Sequence, residues 1–99
     1  MTVEIREHGF DPYHEVSDYQ QTRLDAAGKY GATAVFVGSM RDINEGDIVQ
    51  AMSLEHYPGM TERYLEKITQ EAGRRWDILD SLIIHRVGDL HPDEPIVLV

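Results

Sequence analysis

The chain has 99 residues, 41% of them hydrophobic, with 18 acidic against 9 basic side chains and a formal charge of -9. That length makes one domain with a modest core, and that charge repels phosphate backbones and anionic lipid, so neither nucleic acid nor a membrane is expected as a partner. The absence of cysteine rules out a disulfide framework, a thiolate metal site and a cysteine nucleophile together.

Thr2 to Arg6 alternates as a short first strand, with Val3 and Ile5 on one face. Asp11-Pro12 opens a helix, the aspartate as N-cap and the proline at the first helical position, where its missing N–H costs nothing. Ser17-x-x-Gln20 is an alternative start, and Gly28 or Gly31 the stop, so the helix lies within Pro12 to Ala27. Ala32 to Met40 is a nearly continuous apolar run, β-branched and aromatic at its centre, which predicts a strand in the middle of the sheet and covered on both faces. Arg41 to Asp47 is polar and contains a glycine, a loop by composition. Ile48 to His56 is then the returning strand of a hairpin, which leaves Arg41 on a loop at a strand end.

Pro58-Gly59 opens the clearest helix. Met60, Tyr64, Ile68, Ala72 and Trp76 recur every four residues, Leu65 widens the stripe, and that face is expected to pack on the sheet. Glu71 and Arg75 form an i,i+4 pair on its solvent side, supporting the helix by about 0.2 to 0.5 kcal/mol. Leu79 to Val87 is a further strand, Gly88 to Glu94 a turn rich in breakers, and Pro95 to Val99 a fifth strand. An apolar strand left at the end of a chain exposes an unpaired edge, so the sequence is expected to be cut short.

Few residues are candidates for chemistry. Arg41 has a planar, permanently charged fork of donors on a loop, suited to phosphate or carboxylate; pairing with Asp42 or Glu45 is the alternative. His85 and Arg86 are neighbours on a strand and project to opposite faces, so they do not serve one ligand together. The five histidines, His8, His14, His56, His85 and His91, lack the spacing of a zinc site, and no metal is expected. Tyr57-Pro58-Gly59-Met60 offers free N–H groups to an anion, but a strand-to-helix connector is the simpler reading. The charged N-terminus Met1-Thr-Val-Glu-Ile-Arg-Glu7 is no signal peptide and no apolar run spans a bilayer, so a cytoplasmic protein is expected.

One order of motifs is specific. Val37-Gly-Ser-Met-Arg41, a polar loop, a second strand, Leu54-Glu-His-Tyr-Pro-Gly-Met-Thr61 and then Ile83-Ile-His-Arg-Val-Gly88 resembles the large, catalytic subunit of molybdopterin synthase, from about Gly31 to Val99. The resemblance implies an α+β, α/β-hammerhead-like fold, with a mixed or antiparallel sheet and two packed helices, and a homodimer. Each subunit of such a protein binds a small ubiquitin-like sulfur carrier, whose C-terminal thiocarboxylate delivers sulfur to cyclic pyranopterin monophosphate to make molybdopterin. It implies contact with the pterin phosphate by Ser39, Met40 and Arg41, and it needs no cofactor. The family's catalytic lysines lie beyond Val99; Lys29 and Lys67 do not match them. Residues 1-99 are then a single domain, the N-terminal portion of that fold, inactive alone. The alternative is a short paralogue serving as a dimerisation or carrier-binding module. The leading reading predicts an open reading frame that continues past Val99 into a His-Arg pair and a lysine-rich segment; sequencing that finds a stop codon directly after Val99 would overturn it.

Overall fold

The computed structural model of the chain describes residues 1–23, 28–48 and 50–99, with Ile43 and Asn44 described as backbone only. Strand β1 (Thr2–Arg6) leads to helix α1 (Pro12–Asp18), which continues as a π-helical turn over Tyr19–Arg23. The start is the expected one, since the Asp11 carboxylate accepts from the backbone N–H groups of Tyr13 and His14 at 3.0 and 3.2 Å. Those donors have no partner within the helix, so the cap satisfies them. Ser17 lies inside the helix and starts nothing. The expected end at Ala27 falls outside the described residues.

After the exposed stretch 31–36 come β2 (Val37–Ser39), β3 (Ile43–Asn44), β4 (Asp47–Ile48), β5 (Met52–Leu54), α2 (Met60–Arg75), β6 (Leu82–Arg86), β7 (Gly88–Leu90) and β8 (Pro95–Leu98). The main sheet has the order β1-β6-β8-β2. β1 runs parallel to β6, while β6 with β8 and β8 with β2 are antiparallel. The class is the expected one, α+β with a mixed sheet and two helices.

The pairing differs from expectation in three places. β2 is an edge strand of three residues and Phe36 before it is 62% exposed, so the apolar run 32–40 is not the centre of the sheet. An unbroken apolar run specifies a strand or a buried segment without specifying its neighbours. β2 does not pair with the segment that follows it, either. Residues 43–48 close on themselves as β3 and β4, joined by Glu45 and Gly46 at φ 53° and 86°, the double left-handed geometry of a two-residue hairpin. The expected breaker-rich turn from Gly88 to Glu94 is in part a strand: Gly88, at φ 83°, turns the chain out of β6 so that β7 pairs with β5.

β8 occupies the place that β2 was expected to have. It pairs with β6 through Ile84↔Leu98 and His85↔Val97, and with β2 through Val37↔Leu98. Leu98 is 1% exposed, and with Ile84 and Leu90, both at 0%, it forms the fully buried centre of the core. The physical ground for expecting a bare final strand therefore disappears.

α2 buries only part of the face expected, Leu65 and Ala72, and is rotated away from the rest. It packs against β1, and its half-buried residues include Thr61, Leu65, Thr69 and Ala72, whereas Met60, Tyr64, Ile68 and Trp76 are exposed. Steps of four residues overshoot the 3.6-residue turn, so a strict four-residue series winds around the helix. The series 61, 65, 69 and 72 stays on one side. Glu71 does accept from both Arg74 and Arg75, at 2.7 and 3.0 Å.

The two faces should separate in stability measurements. Ile84→Ala should lower the unfolding free energy by about 2–5 kcal/mol. Tyr64→Ala should change it by no more than about 0.5 kcal/mol. Urea titration followed by circular dichroism gives both values, and comparable losses would place the Met60 stripe back against the sheet.

Candidate functional site

Ser39, Met40, Arg41 and Asp42 leave the end of β2 and form one wall of an open depression of about 740 Å³. The tip of the β3–β4 hairpin, Glu45 and Gly46, forms a second wall, and Pro92 and Asp93 from the β7–β8 turn form a third. The three residues singled out from the sequence are thus brought together. Their parts differ, however: Ser39 and Arg41 are exposed, while Met40 is 5% exposed.

Met40 is an anchor. Its backbone N–H donates to the Glu94 carbonyl at 3.0 Å and its carbonyl accepts from the Asp93 N–H at 2.9 Å. This two-bond bridge fixes the residue before Arg41 to the β7–β8 turn. Asp93 itself has φ 75°, a left-handed conformation that aspartate tolerates better than most side chains. The Pro92–Asp93 wall gives no sequence signal as part of a site, because only the pairing of β8 with β2 carries it there.

The electrostatics are mixed. Arg41 is the cation of the lining, against the carboxylates of Asp42, Glu45 and Asp93. Among the described residues none of these carboxylates reaches ion-pair distance of its guanidinium. An anion held here would gain one permanent charge and a planar pair of donors from this wall, and a dianion such as a phosphate monoester requires further cations.

The other candidates stay apart from the depression. His85 is half-buried and its Nδ1 lies 2.7 Å from the Arg86 carbonyl. Arg86 is 4% exposed, and its Nη1 and Nη2 donate to the Glu94 carboxylate at 3.2 Å and to the Asp89 carbonyl at 3.0 Å. The neighbours thus serve different ends, as their alternation requires. Lys29 and Lys67 are both exposed, Lys67 on α2.

The N-terminus of α2 is occupied by its own carboxylate. Glu62 accepts from the Gly59 N–H at 2.9 Å and pairs with His56 Nε2 at 2.9 Å. Gly59 sits at φ 83° to make that turn. A self-supplied carboxylate satisfies the donor that an external anion would use, so the Tyr57–Met60 segment is a connector.

The sequence model of the family described as MoaE protein matches residues 10–99. The chain belongs to this family. It is 47% identical over 98 residues to the molybdopterin synthase catalytic subunit of Ralstonia nicotianae, covering 99% of this chain and 53% of that protein. It is 46% identical over 99 residues to the catalytic subunit so named from Pseudomonas aeruginosa, covering 100% and 63%. The solved structure of molybdopterin cofactor biosynthesis protein E from Burkholderia multivorans superposes with a TM-score of 0.78 at 47% identity, over 98% of this chain and 60% of that one. The chain therefore spans between 53% and 63% of the length of these family members. None of its helices is long and apolar enough to cross a membrane among the described residues.

The cap at Glu62 carries a pH signature. The hydrogen bond from His56, and then that from the Gly59 N–H, hold the Glu62 carboxyl below its ordinary 4.5. A carboxylate lowered in the folded state contributes its stabilisation above the unfolded value and loses it as pH falls through the folded one. NMR titration should place the Glu62 midpoint below 4.5, and His56→Ala should move it upward. A native midpoint at or above the ordinary value would remove this cap.

Proposed function

We propose that the whole protein to which this chain belongs is the catalytic subunit of molybdopterin synthase, a cytoplasmic sulfurtransferase. Its substrate is cyclic pyranopterin monophosphate. Sulfur is delivered by a small ubiquitin-like carrier whose C-terminal thiocarboxylate enters the subunit's pocket, and the working assembly is a homodimer with a carrier bound to each subunit. Residues 1-99 are one domain, the N-terminal portion of that subunit.

The observation that carries this reading is the match of nearly all of the chain to curated catalytic subunits at 46–47% identity. Arg41, at the end of β2 in the open depression, supplies the chemistry this wall needs. A guanidinium fork fits a phosphate oxygen pair and stays charged at any working pH. Ser39 adds a hydroxyl beside it, and the buried Met40 fixes the height of both through its bridge to the β7–β8 turn.

Sulfur arrives already activated on the carrier, so the chain's own task is positioning and charge stabilisation. That task suits a chain without cysteine. The three carboxylates of the lining mean that further cations must face the phosphate, and the family's lysines beyond Val99 fill that need. On this reading residues 1–99 alone are inactive.

The test is reconstitution. The whole protein, mixed with thiocarboxylated carrier and cyclic pyranopterin monophosphate, should form molybdopterin, and residues 1–99 should form none. Arg41→Ala in the whole protein should lower kcat/KM by about 10- to 100-fold, the range expected for removing one charged hydrogen-bonding partner. No product from the whole protein with an active carrier would overturn the assignment.

A further inference from the structure

Arg86 is the one charged side chain among the described residues that is buried, and its Nε is the one buried side-chain nitrogen or oxygen among them without a partner. It is 4% exposed and its Nε has no partner. Its two terminal nitrogens reach different elements: Nη2 holds the Asp89 carbonyl on β7, and Nη1 holds the Glu94 carboxylate, which is 39% exposed, just before β8. Glu94 is the residue whose carbonyl accepts the Met40 N–H, and its neighbour Asp93 donates to the Met40 carbonyl. A continuous path of hydrogen bonds thus runs from Arg86 through Glu94 to Met40, which precedes Arg41.

A buried ion pair is poor value as a source of stability. Removing a cation from water costs about as much as its pairing returns, and an apolar side chain of similar volume packs as well or better. The orphaned Nε adds to that cost. What a guanidinium offers and an apolar side chain lacks is a rigid span between two fixed acceptors. Here the span joins β7 to the β7–β8 turn, which forms the wall facing Arg41.

We infer that Arg86 is a positioning residue for the anion site: by clamping Glu94 it sets the distance between the Arg41 wall and the Pro92–Asp93 wall. Arg86 does not touch the ligand. It acts through the Met40 bridge, and the inference rests on the reading of Arg41 as the residue that meets the phosphate.

Inorganic phosphate is the probe, titrated by NMR against the whole protein while the Met40 and Asp93 backbone amide resonances are followed. Arg86→Met, which keeps the volume and removes the span, should leave the melting temperature unchanged or raised, yet weaken phosphate binding about fivefold or more. It should also speed amide exchange at Met40 and Asp93. In an Arg41→Ala background the same change should have no further effect on phosphate affinity. Should Arg86→Met fail to fold, Glu94→Gln breaks the pair from its partly exposed side and should give the same pattern. Native phosphate affinity together with native Met40 exchange in a folded Arg86→Met or Glu94→Gln protein would overturn the clamp. Phosphate affinity that Arg41→Ala leaves unchanged would instead overturn the anion reading, and exchange at Met40 would then decide the clamp by itself.

Discussion

The structure depends on β8 lying between β6 and β2. β1 and β6 form a parallel pair on one side, and β2 has no partner in the main sheet other than β8. Without β8, β2 is an isolated extended segment and the depression at its end has no fixed wall. Leu98 couples the two sides, because the same residue lies opposite Ile84 in β6 and Val37 in β2. Its burial stabilises both pairings at once.

The same strand also shapes the depression. The register of β8 against β2 shifts between Gly38 and Ser39, so that Ser39 stands opposite Pro95. The extra residue is Ile96 of β8, so the bulge lies on the strand facing β2 and increases the local twist of the pair just before Met40 and Arg41. Pro95 brings no N–H to the ladder at that point, which suits the place where pairing ends. Beyond it the backbone of Met40 is held by Asp93 and Glu94. The arginine is thus delivered by a bulge, a proline and a two-bond bridge, all of which belong to the β2–β8 contact.

Local signals in the sequence were legible and distant ones were not. The Asp11-Pro12 start, the Pro58-Gly59 entry to α2 and the Glu71-Arg75 pair each depend on residues within one helical turn, and each is present in the structure. The placing of β2 at the edge beside β8 depends on contacts across some sixty positions of sequence, and neither segment's composition differs enough to rank them. Gly88-Asp-Leu was a turn by composition and is strand β7 because Met52 to Leu54 lies beside it. Ser39, Met40 and Arg41 could be named from family motifs, and Arg41 also from its chemistry. Pro92, Asp93 and the partners of Arg86 could not, since a sequence shows a carboxylate without showing which cation it will reach.

The interior place of β8 has a consequence for how the chain is made. β1, which emerges from the ribosome first, finds its partner β6 only after most of the domain has been synthesised, and β2 finds its partner later still. Only β6 and β8 lie near each other in sequence; the β1–β6 and β2–β8 pairings of the main sheet join strands far apart. Such topologies close slowly because the loop entropy is lost before the contacts repay it. The nascent chain therefore carries β1 unpaired until residues 82–86 arrive and β2 unpaired until residues 95–98 arrive, an interval in which a chaperone has something to hold.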